Sequence, residues 1–233
     1  MEAKNRLIVA LDVGSVKEAR SLIETLGQGV GVYKIGLELL FAGGFALAEA
    51  LAREGRAVFV DAKLSDIEAT VERATAAIAR AGASFLTVHA LDAKTLEAAV
   101  RGRGDSALKL LGVTVLTNLA PADLIEHRID HPLPEVVRHR AALAKKAGLD
   151  GVIASGREAA EIRRAAGRDF LIVTPGVRPS GSEAQDQTRA VTPKQAIMAG
   201  ADYLVVGRPI TRAADPRKAA DAIVGEIAAA LAR

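Results

Sequence analysis

The sequence predicts an α/β protein, a single-domain (β/α)8 TIM barrel over residues 1–233, from three observations. Short apolar runs rich in β-branched residues alternate with Ala-rich helical stretches along the chain, which is typical of βα units around a parallel sheet. Eight such runs in 233 residues fit this barrel, whose typical length is about 250 residues. The fingerprint G-x-G-x-x-G of open nucleotide-binding sheets does not follow the first run.

The individual elements follow from two patterns. Short runs of apolar residues are typical of strands buried in a parallel sheet. The predicted strands are Leu7–Asp12, Val32–Gly36, Ala57–Lys63, Phe85–His89, Leu110–Thr117, Gly151–Ala154, Phe170–Thr174 and Tyr203–Gly207. Apolar residues spaced three or four apart are typical of helices that cover a sheet. The predicted helices are Val16–Leu26, Leu39–Arg53, Ile67–Ala81, Thr95–Arg101, Glu135–Ala147, Glu158–Ala166, Pro193–Ala199 and Pro216–Leu231.

The composition limits the classes of function. The chain has no Cys, which excludes disulfides and thiolate metal sites. No segment approaches the roughly 20 apolar residues that span a bilayer, and Asp12 interrupts the first apolar run, so we expect a cytoplasmic protein with no signal region. The net charge of +3 is dispersed and aromatic residues are 3% of the chain. Nucleic acid is therefore not an expected partner, whereas a small anionic substrate is.

The active site of such a barrel lies at the carboxyl ends of the strands. The polar residues at these ends are Asp12, Lys34, Asp61, Lys63, His89, Thr117, Arg178 and Arg208. For His89, a hydrogen-bonded structural role is favoured over a place in the cleft. His127 and His131 lack the companion carboxylates of a metal site, and we expect them at the surface with no metal bound.

The segment AVFVDAKLSDIEATV carries the strongest indication of chemistry. Alternation along a strand places Asp61 and Lys63 on one face, where a core would otherwise lie. Burying an ion pair costs several kcal/mol unless its partners offset the cost, so charges in such a place indicate a functional site. In the structural alternative Ser65 and Glu68 form a capping box, with Asp66 in the first turn of a helix. That alternative leaves the two strand charges unexplained.

Asp12 and Lys34 extend this pattern to two neighbouring strand ends. An alternating array of lysines and carboxylates keeps the lysines charged, while the carboxylates repel an anion placed against them. Such a site favours a reaction that removes a substrate carboxylate, and Lys63 can deliver a proton to the carbon left behind.

A phosphate site is expected between the loops that follow the seventh and eighth strands, as in many barrel enzymes. The first loop, TPGVRPSGSEAQDQTRAVTP, contains Arg178 and Gln187, and the eighth run ends in VVGRPITRAADP. Gly207 lets the backbone approach a ligand, and Arg178 and Arg208 can hold a phosphate bidentately. The alternative is two solvated arginines beside a flexible loop.

Together these residues resemble the orotidine 5′-phosphate decarboxylase family. The resemblance covers most of the chain in the family's order, through ALD, YKIGLEL, DAKLSDI, VTVLTN, TPGVRP and VVGRPIT. D-x-K-x-x-D alone is shared with related sugar-phosphate enzymes. Lys34 is the discriminating residue, because the resemblance implies a Glu there in the magnesium-dependent relatives, 3-keto-L-gulonate 6-phosphate decarboxylase and hexulose-phosphate synthase.

The resemblance implies decarboxylation of orotidine 5′-monophosphate (OMP) to uridine 5′-monophosphate (UMP) in de novo pyrimidine biosynthesis, without metal or cofactor. It implies that Lys63 donates the proton to C6 and that Asp61 lies against the carboxylate that leaves. It also implies that Lys34 and Asp12 hold the ribose hydroxyls and complete the charged array. The remaining implied contacts are Asp66, Ile67 and Thr70 in the site of the other subunit of a homodimer, Thr117 and Asn118 at the pyrimidine, and Arg178, Gln187, Gly207 and Arg208 at the phosphate.

The chain departs from the family pattern at two places. Many relatives read H-D-I-P-N-T where this chain has residues 65–70 as SDIEAT, and many have Ser in place of Asn118. Other functions stay open: a magnesium-dependent sugar-phosphate decarboxylase or aldolase, a Schiff-base aldolase that uses Lys63, and a non-catalytic nucleotide sensor.

Overall fold

The computed structural model describes residues 1–179 and 191–232. Eight parallel strands form a closed barrel in chain order, and the last strand pairs with the first. They are β1 Leu7–Ala10, β2 Val32–Gly36, β3 Ala57–Leu64, β4 Phe85–His89, β5 Lys109–Val113, β6 Gly151–Ile153, β7 Leu171–Thr174 and β8 Tyr203–Val206. The predicted (β/α)8 barrel is confirmed.

Helices cover the outside of the barrel. They are α1 Val16–Leu26, α2 Leu37–Leu39, α3 Phe45–Arg53, α4 Glu68–Arg80, α5 Ala93–Arg103, α6 Pro121–Glu126, α7 Leu133–Lys146, α8 Ala159–Ala166, α9 Pro193–Met198, α10 Arg208–Thr211 and α11 Pro216–Leu231. A 3-10 turn at Ala3–Arg6 precedes β1, and a π turn at Leu40–Gly44 joins α2 to α3. In the described part of the chain, no helix combines the length and apolar character needed to cross a bilayer.

Each strand is buried on both faces, as the apolar runs predict. In β1, Ile8 and Ala10 point into the barrel, while Leu7 and Val9 pack against the helices. The barrel interior is filled by one layer of side chains from all eight strands except β6, whose Ile153 is half-buried beside it. These residues are Ile8, Ala10, Val32, Phe59, Phe85, Leu111, Val173 and Val205. This layer forms a solid floor below the carboxyl ends of the strands.

The predicted carboxyl ends of two strands lie too far along the chain. β1 stops at Ala10 instead of Asp12, and β5 stops at Val113 instead of Thr117. After β5 the Thr114 hydroxyl donates to the Ile153 carbonyl at 2.8 Å, and the chain turns across the end of the barrel. Side-chain hydrogen bonds of this kind compete with the strand ladder, and the apolar pattern alone does not register them.

The predicted helix Leu39–Arg53 is also wrong, because the chain breaks at the π turn. Gly43 has a φ of +92°, a conformation that strongly favours glycine. A Cβ on Gly44 would lie 2.5 Å from the Leu39 carbonyl oxygen, so this turn accepts no larger residue there. The short helices α6 and α10 were not predicted.

Candidate active site

The β3 strand bulges at the charged segment. Val60 pairs with Leu86 and Leu64 with Val88 in β4, so residues 61–63 of β3 lie opposite one residue of β4, Thr87. Lys63 has a φ of +48°, a left-handed conformation that costs a non-glycine residue roughly 1–2 kcal/mol. The predicted simple alternation therefore holds through Asp61 and is replaced by the bulge at Lys63.

The four predicted charges form a continuous chain of ion pairs. Lys34 Nζ lies 2.9 Å from Asp12 Oδ1 and 3.2 Å from Asp61 Oδ2, and Lys63 Nζ lies 2.9 Å from Asp61 Oδ1. Lys34 and Asp61 are buried, with 7% and 8% of their surface exposed. Asp12 and Lys63 are more exposed and lie at the two ends of the array. The structure thus brings together the alternating array that the sequence predicts.

The central pair is held in its charged form. Burial opposes the charge of Lys34, but the neighbouring Asp61 and Asp12 carboxylates outweigh burial and raise the pKa of Lys34 above its usual value. Burial likewise opposes the charge of Asp61, yet Lys34 and Lys63, with hydrogen bonds from Lys63 and Thr87, lower the Asp61 pKa. An ammonium and a carboxylate therefore coexist in the barrel at neutral pH.

This array lines a cavity of about 390 Å³ at the carboxyl ends of the strands. The predicted site residues that line it are Asp12, Lys34, Asp61, Lys63, Thr117, Asn118, Arg178, Gly207 and Arg208. The structure thus brings nine of the predicted positions together around one cavity. Gln187 lies outside the described residues.

Thr117 and Asn118 reach the cavity from the loop after β5. Arg140 of α7 donates from Nη1 to the Thr114 carbonyl at 2.6 Å and fixes the start of this loop. This hydrogen bond ties the loop to the outer helix layer, and burial lowers the pKa of Arg140.

The two predicted arginines reach the cavity from neighbouring loops, Arg178 after β7 and Arg208 after β8. Arg208 begins α10, with Gly207 at its N-cap. Arg178 is buried, and its Nη1 donates to the Val177 carbonyl at 3.0 Å. The backbone N–H of Arg178 donates to the Val191 carbonyl at 2.9 Å, so the chain before and after residues 180–190 is tied together there.

Gly36 has a role that the sequence analysis missed. A Cβ at this position would lie 2.8 Å from Asp12 Oδ1 and 2.9 Å from Lys34 Nζ. A side chain at the end of β2 would therefore displace the groups that form the first ion pair of the array. The motif YKIGLEL contains this glycine directly after the lysine-bearing run, which is the available sequence signal.

Three polar residues of the cavity were not predicted: Glu38, Thr211 and Arg212. Glu38 follows the end of β2, where site residues are expected. Arg212 lies four residues after Arg208 on the same helix face, a spacing that could have identified it.

Asp66, Ile67 and Thr70 do not line the cavity of their own chain. Asp66 Oδ1 accepts from the Ile67 N–H at 2.7 Å, and Ile67 is 72% exposed. The capping-box alternative for this segment is wrong, because Ile67 occupies the N-cap of α4 and no side chain caps the helix.

The histidines divide into two groups. His127 and His131 lie at the surface, as predicted. His89 is half-buried near the array, and burial, followed by the charges of Lys63 and Arg140, lowers its pKa. Its imidazole has no hydrogen-bond partner among the described residues and does not line the cavity, so its structural role stays a prediction. In that part of the chain no group of three His, Asp or Glu side chains is arranged to hold a metal ion.

The fold and cavity define a (β/α)8-barrel protein whose charged site occupies the catalytic end of the barrel. Residues 5–223 match the family model described as "Orotidine 5'-phosphate decarboxylase / HUMPS family". The chain belongs to this family, as the resemblance of its motifs predicts.

Individual relatives agree with the family assignment over nearly the whole chain. The chain is 54% identical over 228 residues to the orotidine 5′-phosphate decarboxylase of Caulobacter sp. (strain K31), covering 98% of this chain and 99% of the relative. It is 52% identical to that of Rhodopseudomonas palustris (strain BisB5), covering 97% and 96%. The crystal structure of orotidine 5′-phosphate decarboxylase from Lactobacillus acidophilus superimposes with a TM-score of 0.84 at 37% identity, covering 95% and 98%.

Proposed function

We propose that this protein decarboxylates OMP to UMP in de novo pyrimidine biosynthesis, without a metal or cofactor and with Lys63 as the proton donor to C6. Family membership supports the reaction. The observation that carries the mechanism is the Asp61 carboxylate, held between the ammonium groups of Lys34 and Lys63 at 3.2 and 2.9 Å in the cavity.

In this mechanism the substrate carboxylate binds against Asp61. Two like charges about 4 Å apart repel by about 4 kcal/mol at an effective dielectric constant of about 20. The bond from C6 to the carboxyl carbon breaks, its electron pair stays on C6, and neutral carbon dioxide leaves. The repulsion is thereby removed in the transition state, which favours reaction over ground-state binding.

Lys63 completes the reaction at C6. As negative charge develops on C6, the Lys63 ammonium stabilises it and transfers one proton to C6. The neutral amine then recovers a proton from water. The ion pair with Asp61 supplies the ammonium form that this step needs.

We further propose how the rest of the substrate is bound. Arg178 and Arg208, with Gln187, hold the 5′-phosphate, for which two cavity-lining guanidinium groups are suited. Asp12 and Lys34 bind the ribose hydroxyls. Thr117 and Asn118, which also line the cavity, contact the pyrimidine. The Asn118 amide can both donate to and accept from the ring imide.

We also propose a homodimer in which Asp66, Ile67 and Thr70 enter the partner's site. Large exposed apolar residues follow three neighbouring strands at one end of the barrel: Leu37 and Phe41 after β2, Ile67 after β3 and Leu91 after β4. Phe41 is 89% exposed. Large exposed apolar residues on neighbouring loops favour an interface there.

A complementation assay tests the shared site. Lys63→Ala and Asp66→Asn variants, each expected to be inactive, are unfolded and refolded as a mixture. A two-fold dimer with shared sites regains about a quarter of wild-type activity, because half of the molecules are heterodimers with one intact site each. No regained activity while heterodimers form would overturn the shared site.

Turnover of OMP in excess chelator tests the reaction itself. We expect loss of the orotate chromophore with wild-type protein and with Lys17→Ala, which removes an exposed lysine that does not line the cavity. Lys63→Ala should abolish it. No turnover by the wild type would overturn the proposal.

The rival functions have separate signatures. A magnesium ion at Asp61 has to displace two ammonium groups, and a magnesium-dependent enzyme loses activity in chelator. A Schiff-base aldolase forms a covalent intermediate with its substrate, and borohydride traps that intermediate. An ion-paired ammonium such as that of Lys63 is a poor nucleophile for this step. A nucleotide sensor binds OMP and releases no product.

A further inference from the structure

Thr87 of β4 is a fully buried polar residue on the inner face of the barrel. Phe85, two residues earlier on the strand, belongs to the interior layer, so Thr87 lies directly above this floor. Its side chain has 0% exposure and is not among the residues that line the cavity. It therefore has no access to a substrate and acts only through its neighbours.

Its hydroxyl group accepts one hydrogen bond and donates another. Thr87 Oγ1 accepts from the backbone N–H of Lys63 at 2.9 Å and donates to Asp61 Oδ1 at 2.8 Å. The same Asp61 oxygen lies 2.9 Å from Lys63 Nζ. Thr87 thus holds the backbone of Lys63, and Asp61 holds its ammonium group. Asp61 Oδ1 links the two contacts, because it accepts from the Thr87 hydroxyl and pairs with Lys63 Nζ.

The bulge explains why this hydroxyl is needed. Residues 61–63 of β3 lie opposite Thr87 alone, so the Lys63 N–H has no backbone partner in the ladder. Lys63 also has a φ of +48°, which persists only where surrounding contacts determine it. The Thr87 hydroxyl takes the place of a ladder partner and satisfies this part-buried donor.

We propose that Thr87 is a positioning residue that fixes the Lys63 ammonium and the Asp61 carboxylate relative to each other. The inference rests on the proposed roles of Lys63 and Asp61 in decarboxylation. A displacement of about 1 Å in such a site costs on the order of 100-fold in rate, and this is the loss expected when the hydroxyl is removed.

The test compares Thr87→Val, which keeps the shape and removes the hydroxyl, with Thr87→Ser, which keeps the hydroxyl. Thr75→Val is the control, because Thr75 of α4 is also fully buried and its hydroxyl has no partner among the described residues. Steady-state kinetics with OMP should show a kcat about 100-fold lower for Thr87→Val with KM within threefold. Thr87→Ser and Thr75→Val should keep kcat within threefold.

The pH profile gives a readout that a loss of packing does not change. The titratable groups facing Asp61 are Lys34 on β2, Lys63 on β3 and His89 on β4, and Asp12 faces Lys34. None of them is altered by the substitution. Because the Thr87 hydrogen bond helps to lower the Asp61 pKa, its removal should move the acid limb of kcat to higher pH in Thr87→Val but not in Thr87→Ser.

The outcomes separate this inference from the proposed function. If the wild type turns over OMP and Thr87→Val keeps its kcat and pH profile, only the positioning role is overturned. Equal losses in Thr87→Val and Thr87→Ser also overturn that role alone. If Thr87→Val does not fold, Thr87→Cys, which weakens the hydrogen bond at the size of serine, takes its place in the comparison.

If the wild type does not turn over OMP, crystal structures of the variants test the positioning role without turnover. We expect Lys63 to leave the left-handed region and its Nζ to move from Asp61 in Thr87→Val only. An unchanged Lys63 backbone in that variant overturns the inference.

Discussion

Lys34→Met removes the central ammonium of the array while keeping a side chain of similar length. Lys34 lies 2.9 Å from Asp12 and 3.2 Å from Asp61, and each contact corresponds to about 5 kcal/mol of Coulomb attraction at an effective dielectric constant of about 20. Desolvation of the ammonium offsets much of this. Half of the Asp12 side chain is exposed, so solvent screens that pair and Asp61 dominates the effect.

We expect the free energy of unfolding at pH 7 to fall by about 3 kcal/mol, the lower end of the range for leaving a buried charge without its partner. The loss should shrink toward pH 4. The reason is that Lys34 lowers the Asp61 pKa; without Lys34 that pKa rises, and Asp61 takes up a proton at a higher pH in the variant than in the wild type.

Urea unfolding followed by circular dichroism at one fixed protein concentration measures this difference. The m-value should be unchanged, so that midpoints report stability. Lys17→Met is the matched control and should stay within 0.5 kcal/mol of the wild type, about the limit for surface substitutions. A deficit below about 1 kcal/mol, or one that is the same at pH 4 and pH 7, would refute the buried ion-pair account.

Three further substitutions test the geometry. Gly36→Ala puts a Cβ 2.8 Å from Asp12 Oδ1 and should lower kcat/KM for OMP by about tenfold, through an interaction of about 1.4 kcal/mol. Arg208→Ala should weaken UMP binding by about 100-fold in calorimetry and leave uridine binding unchanged, since it removes the proposed bidentate phosphate contact. Gly156→Ala puts a Cβ 2.6 Å from Val191 Cγ2, and the Val191 carbonyl accepts from the Arg178 N–H. We therefore expect a higher KM for OMP, and the added substitution Val191→Ala should restore the wild-type KM.

The barrel was predictable because its pattern repeats. Eight alternating runs are buried on both faces, and no local exception changes the count of strands. Boundaries were less predictable where polar side chains replace the ladder, as Thr114 does after β5. The break at Gly43 was missed because the Ala-rich periodicity continues across it, and the positive φ of one residue decides the outcome.

Much of the site was predictable because its charges have no place in a core. Asp61 and Lys34 interrupt apolar runs, and the barrel brings the ends of these runs together. The bulge at Lys63 was not predictable, since it depends on pairing with β4. Thr87 lies within the run FLTVH, which ends in His89, and its polar side chain becomes meaningful only when its partners on the neighbouring strand β3 are known.

Asp61→Asn tests the central claim that an ionised carboxylate beside the substrate drives its decarboxylation. The repulsion of about 4 kcal/mol that the substitution removes corresponds to roughly 1000-fold in rate. Single-turnover rates with OMP and dissociation constants for UMP, which lacks the carboxylate, are measured on the same preparations. We expect about a 1000-fold slower reaction with UMP affinity within threefold of the wild type. A rate within tenfold of the wild type, or an equal loss of UMP affinity, would contradict the claim.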